Sequence, residues 1–145
     1  MAFYCSRTVY LGDTDAAGVV YFASGMQMCH EAYEESLAKA GISLGEMLIA
    51  RKIALPIVHG AINFFNPIFC SDKLQIDLVA EQIKDSEFTI AYKIFSASNL
   101  EKILVTATTS HVCINPITRK RMELSTEILN WLEVTNTKSQ NVENI

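Results

Sequence analysis

Two kinds of hydrophobic spacing divide the chain, a helical one near its N-terminus and an alternating one in its second half. Across residues 21–40, apolar side chains recur every three or four positions, which predicts one long amphipathic helix. Gly41 follows as a helix stop, whereas Ser24 and Gln27 form a capping-box pattern inside the stripe and leave the helix start open. The apolar positions of the stripe are Phe22, Met26, Cys29, Tyr33, Leu37 and Ala40.

Segments with the composition of strands lie on both sides of this helix. The aromatic and β-branched residues 2–11 predict a first strand, and the long apolar run 53–65 predicts a strand that is buried on both faces. From residue 74 onward, apolar and polar residues alternate between turn-forming segments. We predict three further strands there, at residues 74–81, 88–94 and 102–114, with turns at 84–86 and 98–101.

The order of these elements predicts an α+β fold. Short connections between the last four strands favour antiparallel pairing, and the long helix is the one large element that could cover the sheet. We therefore predict an antiparallel five-stranded sheet wrapped around that helix. Smaller helices are expected from Ser43 to about Arg51 and, as one or two turns, at 125–133. We expect a single domain over residues 1–133 and a polar, mobile C-terminal tail over 134–145.

The composition narrows the class of protein. Of the 145 residues, 50% are hydrophobic and 19% are charged, which is typical of one compact globular domain. The net charge of −4 argues against nucleic acid as a partner, because binding to phosphates needs a basic surface. No stretch resembles a signal peptide or a membrane span, so we expect a cytoplasmic protein without membrane insertion. The cysteines form no C-x-x-C pair and are expected to be buried thiols rather than metal ligands; they are Cys5, Cys29, Cys70 and Cys113.

One segment carries a specific motif. Residues 13–22 read DTDAAGVVYF, and the predicted helix that follows contains MCHEAYE at 28–34. Two further segments extend the pattern, ALPIVHGAINFFNP at 54–67 and TSHVCI at 109–114. Together they resemble the 4-hydroxybenzoyl-CoA thioesterase-type hotdog family over about residues 3–122. Within that family they are most similar to the enzymes that hydrolyse 1,4-dihydroxy-2-naphthoyl-CoA in phylloquinone (vitamin K) synthesis.

The resemblance implies a hydrolase with the hotdog fold, a sheet wrapped around a helix, that splits an aromatic acyl-CoA into a free acid and CoA. It implies that Asp15 is the catalytic carboxylate, as nucleophile or as general base, and that Asp13 is structural. No metal and no cofactor are implied. The family forms homodimers or homotetramers (dimers of dimers) with sites between subunits, and a lone sheet with one helix would leave apolar surface that favours such association.

Asp15 suits this chemistry because it lies on a loop of small residues that leads into the helix. Thioester hydrolysis needs a nucleophile or base, and N–H donors where the carbonyl oxygen gains negative charge. Gly18, Tyr21 and Phe22 are candidate oxyanion and acyl-binding residues, since amides at a helix start are unpaired. An aspartate at a turn or cap is commoner than a catalytic one, and only the surrounding motif reverses that preference. Phe22 replaces a tyrosine that is common in the family, which changes the side chain but not the backbone N–H.

Histidine and basic residues give weaker indications. His59 lies in the most apolar predicted strand, where a core histidine and a residue that lines the aromatic acyl pocket are equally supported. The one dense basic cluster is either a solvated turn or an anchor for the phosphates of CoA, and it consists of Arg119, Lys120 and Arg121.

Two other functions stay open at this stage. One is a broad thioesterase for short or medium acyl chains, and the other is a non-catalytic acyl-CoA-binding module, because a fold alone does not determine a function. A sensing module would lack the loop carboxylate and would carry a DNA-binding extension, for which the chain has no room. A hydratase would need a histidine–aspartate pair in a hydratase motif, which the sequence does not contain.

Overall fold

The computed structural model describes residues 3–136, so the expected tail at 137–145 lies outside the described residues. One strand and two helices precede four consecutive strands, and the last helix continues past the expected domain boundary at residue 133. In order, the elements are β1 (Phe3–Thr8), α1 (Phe22–Lys39), α2 (Leu44–Ala50), β2 (Ile57–Phe64), β3 (Lys73–Lys84), β4 (Glu87–Ser96), β5 (Asn99–Val112) and α3 (Thr126–Thr135).

The strands form one antiparallel sheet in the order β1-β3-β4-β5-β2. Buried and more exposed residues alternate along β3 and β4, because successive side chains of a strand point to opposite faces. α1 packs on the buried face and joins the same hydrophobic core. The predicted five-stranded sheet wrapped around one long helix is thus confirmed, and this arrangement is the hotdog fold.

α1 covers the centre of the sheet with a buried stripe that repeats at steps of three and four residues. Cys29, Tyr33 and Leu37 of the predicted stripe are buried, whereas Phe22 and Ala40 are exposed at its two ends. The helix start, which the sequence left open between Phe22 and the Ser24–Gln27 pattern, is at Phe22, and no side chain caps it. The first amides of the helix therefore remain free of local side-chain acceptors.

A second helix shares the coverage of the sheet, so the expectation that α1 alone covers it was incomplete. Ile128, Trp131 and Leu132 of α3 are buried in the core. The indole N–H of Trp131 donates to the Ser36 hydroxyl of α1 at 3.0 Å, which fixes the two helices to each other. Ser125 caps α3 by accepting a hydrogen bond from the Ile128 N–H, and the helix runs for ten residues rather than one or two turns.

β2 departs most from the prediction, which placed a strand buried on both faces at 53–65. The strand is Ile57–Phe64, it lies at the edge of the sheet, and β5 is its one neighbour within the described residues. All of its residues are exposed except the half-buried Ile62. A run of apolar residues without a regular period predicts a strand that favours burial. It does not say whether other elements of the same chain bury that strand.

Smaller differences concern the ends of the elements. The second short helix is confirmed, with the Glu46 N–H donating to the Ser43 hydroxyl at 3.2 Å. β1 ends at Thr8, before the predicted end at residue 11, and the last hairpin turns at 97–98 rather than at 98–101. Cys70 is exposed, contrary to the expectation of buried thiols. Among residues 3–136, none of the helices is both long and apolar enough to cross a membrane.

Candidate active site

The loop between β1 and α1 is folded into a small hairpin over residues 13–21. The Tyr21 N–H donates to the Asp13 carbonyl at 2.9 Å, and the Asp15 N–H donates to the Val19 carbonyl at 2.9 Å. The tip is a tight turn in which the Gly18 N–H donates to the Asp15 carbonyl at 3.0 Å. Gly18 has a φ of 79°, in the left-handed region that glycine adopts at little cost, which explains the glycine at this position.

Asp15 is exposed at this tip. Its Oδ1 accepts a hydrogen bond from the Ala17 N–H at 2.8 Å, the geometry of an Asx turn. Oδ2 has no hydrogen-bond donor among the described residues. The turn aspartate and the candidate catalytic carboxylate are therefore compatible, because one oxygen shapes the loop while the other stays free.

The free amides at the start of α1 lie directly after this hairpin. They do not include every backbone N–H that the sequence suggested as a free donor. The N–H groups of Gly18 and Tyr21 are already paired, with the carbonyls of Asp15 and Asp13, so the expectation that Tyr21 offers a free donor is wrong. The first amide of α1 that bonds back along the helix is that of Gly25, to the Tyr21 carbonyl. The Phe22 amide precedes it and is one of the orphan donors of the first turn, where the helix dipole favours negative charge.

An apolar groove of about 290 Å³ borders this hairpin. Val19 and Val20 of the hairpin line it together with Phe64, Phe65, Asn66, Pro67 and Ile68. The Val20 N–H donates to the Ile68 carbonyl at 2.8 Å, which joins the hairpin to the segment after β2. Phe64 and Phe65 are 38% and 61% exposed, so the groove presents aromatic surface to solvent.

The remaining candidates lie at the other end of the sheet. Phe64 pairs with Val105 in the middle of β5, whereas His59 pairs with Ser110 near its end. The Arg121 guanidinium donates to the Ser86 hydroxyl at 3.2 Å, and Ser86 in turn is next to the β4 residue that pairs with Val112. A strand rises by roughly 17 Å from Val105 to Ser110 and by roughly 23 Å from Val105 to Val112. Within one copy of the chain, His59 and the basic cluster Arg119, Lys120 and Arg121 therefore lie far along the sheet from Phe64 and the groove beside the Asp15 hairpin.

The sequence profile of the thioesterase-like superfamily matches residues 9–132, which is most of the chain. The chain belongs to the thioesterase-like superfamily. This thioesterase-like chain is 54% identical over 131 residues to the 1,4-dihydroxy-2-naphthoyl-CoA hydrolase of Gloeothece citriformis, covering 90% of the chain and 92% of that relative. It is 50% identical over 127 residues to the protein of the same name from Crocosphaera subtropica, covering 88% and 93% of the two chains.

A solved structure supports the same family at the level of fold. The crystal structure of a 1,4-dihydroxy-2-naphthoyl-CoA thioesterase from Synechocystis is similar to this thioesterase-like chain with a TM-score of 0.87 and 40% identity. The match covers 91% of this chain and 96% of that one. The predicted resemblance to this family of hotdog thioesterases is therefore confirmed.

One charged group near the hairpin was missed by the sequence analysis of this thioesterase-like chain. Arg7 of β1 makes hydrogen bonds to both carboxylate oxygens of Asp13, at 2.5 and 3.2 Å. The signal was present in the sequence, because an arginine in a strand of apolar and aromatic residues needs a charged partner when it is half-buried. Its second partner, Glu31, is on α1 and could not be paired with it by spacing alone.

Proposed function

We propose that this chain is an acyl-CoA thioesterase that hydrolyses 1,4-dihydroxy-2-naphthoyl-CoA to 1,4-dihydroxy-2-naphthoate and CoA, within the biosynthesis of phylloquinone (vitamin K). The observation that carries the proposal is the position of Asp15, whose free carboxylate oxygen is on a hairpin that leads into the unpaired amides of α1. The names and high identity of the relatives support the choice of substrate.

The proposed chemistry uses these two features together. The thioester carbonyl would accept a hydrogen bond from the Phe22 amide, in the positive field of the helix start, as its oxygen gains negative charge. Asp15 would then either attack the carbonyl carbon and release the CoA thiolate, giving an anhydride that water hydrolyses, or remove a proton from an attacking water. Both routes end in the same acid and free CoA. The aromatic acyl group would lie in the groove beside Phe64 and Phe65.

A second copy of the chain is part of the proposal. β2 is an edge strand with free backbone groups, and it carries exposed apolar side chains such as Ile57 and Val58, at 44% and 57%. An edge of this kind is a template for pairing with another strand. Antiparallel pairing of two β2 strands about a two-fold axis would continue the sheet across both copies and cover this surface.

Such pairing would also complete the site. In an antiparallel pair, the end of β2 that carries Phe64 lies next to the partner's end that carries Ile57. The Asp15 hairpin of one copy would thus be brought towards His59 and the basic cluster of the other. His59 would line the acyl pocket, and Arg119, Lys120 and Arg121 would bind phosphates of CoA. We propose a homodimer on this basis, with a dimer of dimers as the full assembly.

The test is a thioesterase assay over a panel of CoA esters, with 1,4-dihydroxy-2-naphthoyl-CoA, 4-hydroxybenzoyl-CoA and hexanoyl-CoA. Wild-type protein should hydrolyse the first with the highest kcat/KM. Asp15→Asn should lower kcat by about 1,000-fold or more without unfolding the protein, because the near-isosteric amide keeps the turn but cannot act as nucleophile or base. Asp85→Asn, in the exposed turn between β3 and β4, is the matched control and should behave like wild type.

Two results would contradict the proposal. Full activity of Asp15→Asn would remove Asp15 from the reaction, and a preference for hexanoyl-CoA would favour a broad short- or medium-chain thioesterase. A single turnover in heavy-oxygen water separates the two routes, since label enters Asp15 itself only if the anhydride forms.

A further inference from the structure

Arg7 connects three separate parts of the chain near the candidate site. It is on β1, its side chain is 17% exposed, and its guanidinium contacts both Asp13 of the hairpin and Glu31 of α1. Both oxygens of Asp13 accept from the two Nη atoms, the paired geometry that an arginine fork makes with a carboxylate. The Arg7 Nε–H donates to Glu31 at 3.1 Å, and an Nη1–H donates to the Thr8 carbonyl at 2.7 Å.

Asp13 links Arg7 to the hairpin. Its carboxylate also accepts a hydrogen bond from the Tyr10 N–H at 2.8 Å, while its backbone carbonyl accepts the Tyr21 N–H at 2.9 Å. Asp13 therefore holds the last residue of the hairpin with its backbone and the strand β1 with its side chain. The hydrogen bond from Arg7 holds the pKa of Asp13 below its usual range, so this carboxylate stays ionised and does not serve as a proton carrier near neutral pH.

We infer that Arg7 is a positioning residue that sets the distance between the Asp15 carboxylate and the free amides of α1. The carboxylate is on the hairpin and the amides are on the helix, and Arg7 is bonded to both elements through Asp13 and Glu31. Without the guanidinium, two carboxylates would remain close together with no cation between them, and their repulsion would separate the hairpin from the helix. A shift of about 1 Å in a reacting group can cost about 100-fold in rate.

Because this role rests on the proposed function, its experiment combines a kinetic measurement with one that needs no activity. Arg7→Met keeps the length of the side chain and removes the charge, and Arg7→Lys restores the charge without the fork. The matched control is Lys73→Met, since the Lys73 ammonium donates to the Thr8 hydroxyl at 3.0 Å on the same edge of the sheet but contacts neither Asp13 nor Glu31. Steady-state kinetics give kcat and KM, and amide hydrogen exchange follows the Tyr21 N–H.

Arg7→Met should lower kcat by about 100-fold with a nearly unchanged KM, because substrate contacts persist while the reacting groups are misplaced. Arg7→Lys should recover part of that loss, and Lys73→Met should match wild type. Exchange of the Tyr21 amide should become faster in Arg7→Met and in Asp13→Asn. Should Arg7→Met not fold, Asp13→Asn carries the kinetic test, since it breaks the same fork from the other side.

The double variant with both Arg7→Met and Asp13→Asn should be no slower than Arg7→Met alone, since the two residues act as one unit. A wild-type kcat in Arg7→Met, or an unchanged Tyr21 exchange rate, would overturn the inference while the thioesterase proposal stands. An inactive wild-type protein would instead end the thioesterase proposal, and Tyr21 exchange would still decide whether Arg7 anchors the hairpin.

Discussion

Gly25 of α1 and Phe64 of β2 approach so closely that a Cβ atom on Gly25 would lie 2.8 Å from Cζ of Phe64. The same atom would lie 3.1 Å from Cδ1 of Ile62. The first turn of α1 thus touches the strand that borders the apolar groove, and the absence of a side chain at Gly25 makes this contact possible. The helix start and the aromatic wall of the groove are held together at this point.

This contact predicts how substitutions at the two positions combine. Replacing a helical glycine with alanine usually adds about 1 kcal/mol to the free energy of unfolding. Gly25→Ala should show no such gain in wild-type protein, because the new methyl group must displace the Phe64 ring. In a Phe64→Ala background the same substitution should become stabilising, by up to about 1 kcal/mol, once Cδ1 of Ile62 shifts slightly. Urea unfolding of the four proteins measures the coupling, and an equal gain in both backgrounds would contradict the contact.

A buried histidine predicts the pH dependence of stability. His111 is fully buried and stacks on Phe88 with ring centroids 4.8 Å apart. Its Nε2 is 2.9 Å from the Thr109 hydroxyl, whereas its Nδ1 has no hydrogen-bond partner among the described residues. Burial, with a smaller contribution from the charge of His30, lowers the pKa of His111 from 6.5 to about 4.

The unfolded chain therefore binds a proton at His111 more readily than the folded chain does. As pH falls from 6.5 to 4, the free energy of unfolding should drop by about 3 kcal/mol because of His111. Above pH 6.5, His111 is neutral in both states and causes no such loss. His111→Gln keeps a polar side chain and removes the titrating group, so this part of the loss should vanish. Urea unfolding at several pH values checks it, and the same steep loss in the variant would assign it to other groups.

The parts of the fold that could be predicted from the sequence are those whose pattern has a local cause. The alternation in β3 and β4, the stripe on α1 and the Ser43 cap depend on neighbours a few residues away, and each was predicted. The length of α3 was not, because its stability depends on the burial of Trp131 beneath α1, a contact between residues far apart in the chain.

The same contrast between local and long-range causes applies to the candidate site. Asp15 was predicted as the catalytic residue through its motif, whereas the residue type and its loop alone favour a turn residue, and the structure gives it the hydrogen bond of such a turn. The pairing of the Tyr21 amide could not be read from the sequence, because it depends on how the hairpin closes onto Asp13. The exposure of β2 was missed for a similar reason, since an apolar run in a sequence does not say whether other elements of the same chain cover the strand.

A site shared between two copies makes a prediction that a site within one copy does not. The test uses two variants of the chain. The first carries Asp15→Asn and keeps the basic cluster. The second keeps Asp15 and carries Arg119→Asn, Lys120→Gln and Arg121→Gln. Asparagine is chosen at position 119 because it tolerates the left-handed φ of 66° that Arg119 has. Alone, the first should be inactive, and the second should show a raised KM for the CoA ester with kcat largely kept.

The two proteins are co-expressed with different tags, and mixed dimers are purified under conditions that separate the two dimers of a tetramer. Antiparallel pairing of β2 then places the intact Asp15 of one copy beside the intact basic cluster of the other. About half of the sites in each mixed dimer should then have the wild-type KM and kcat, and the other half should be dead. If each site were built within one copy, every active site in the mixed dimer would lack the basic cluster, and KM would stay raised. Because the two arrangements give opposite results for KM in the same sample, a raised KM in the mixed dimer contradicts the shared site, and the wild-type KM contradicts the separate one.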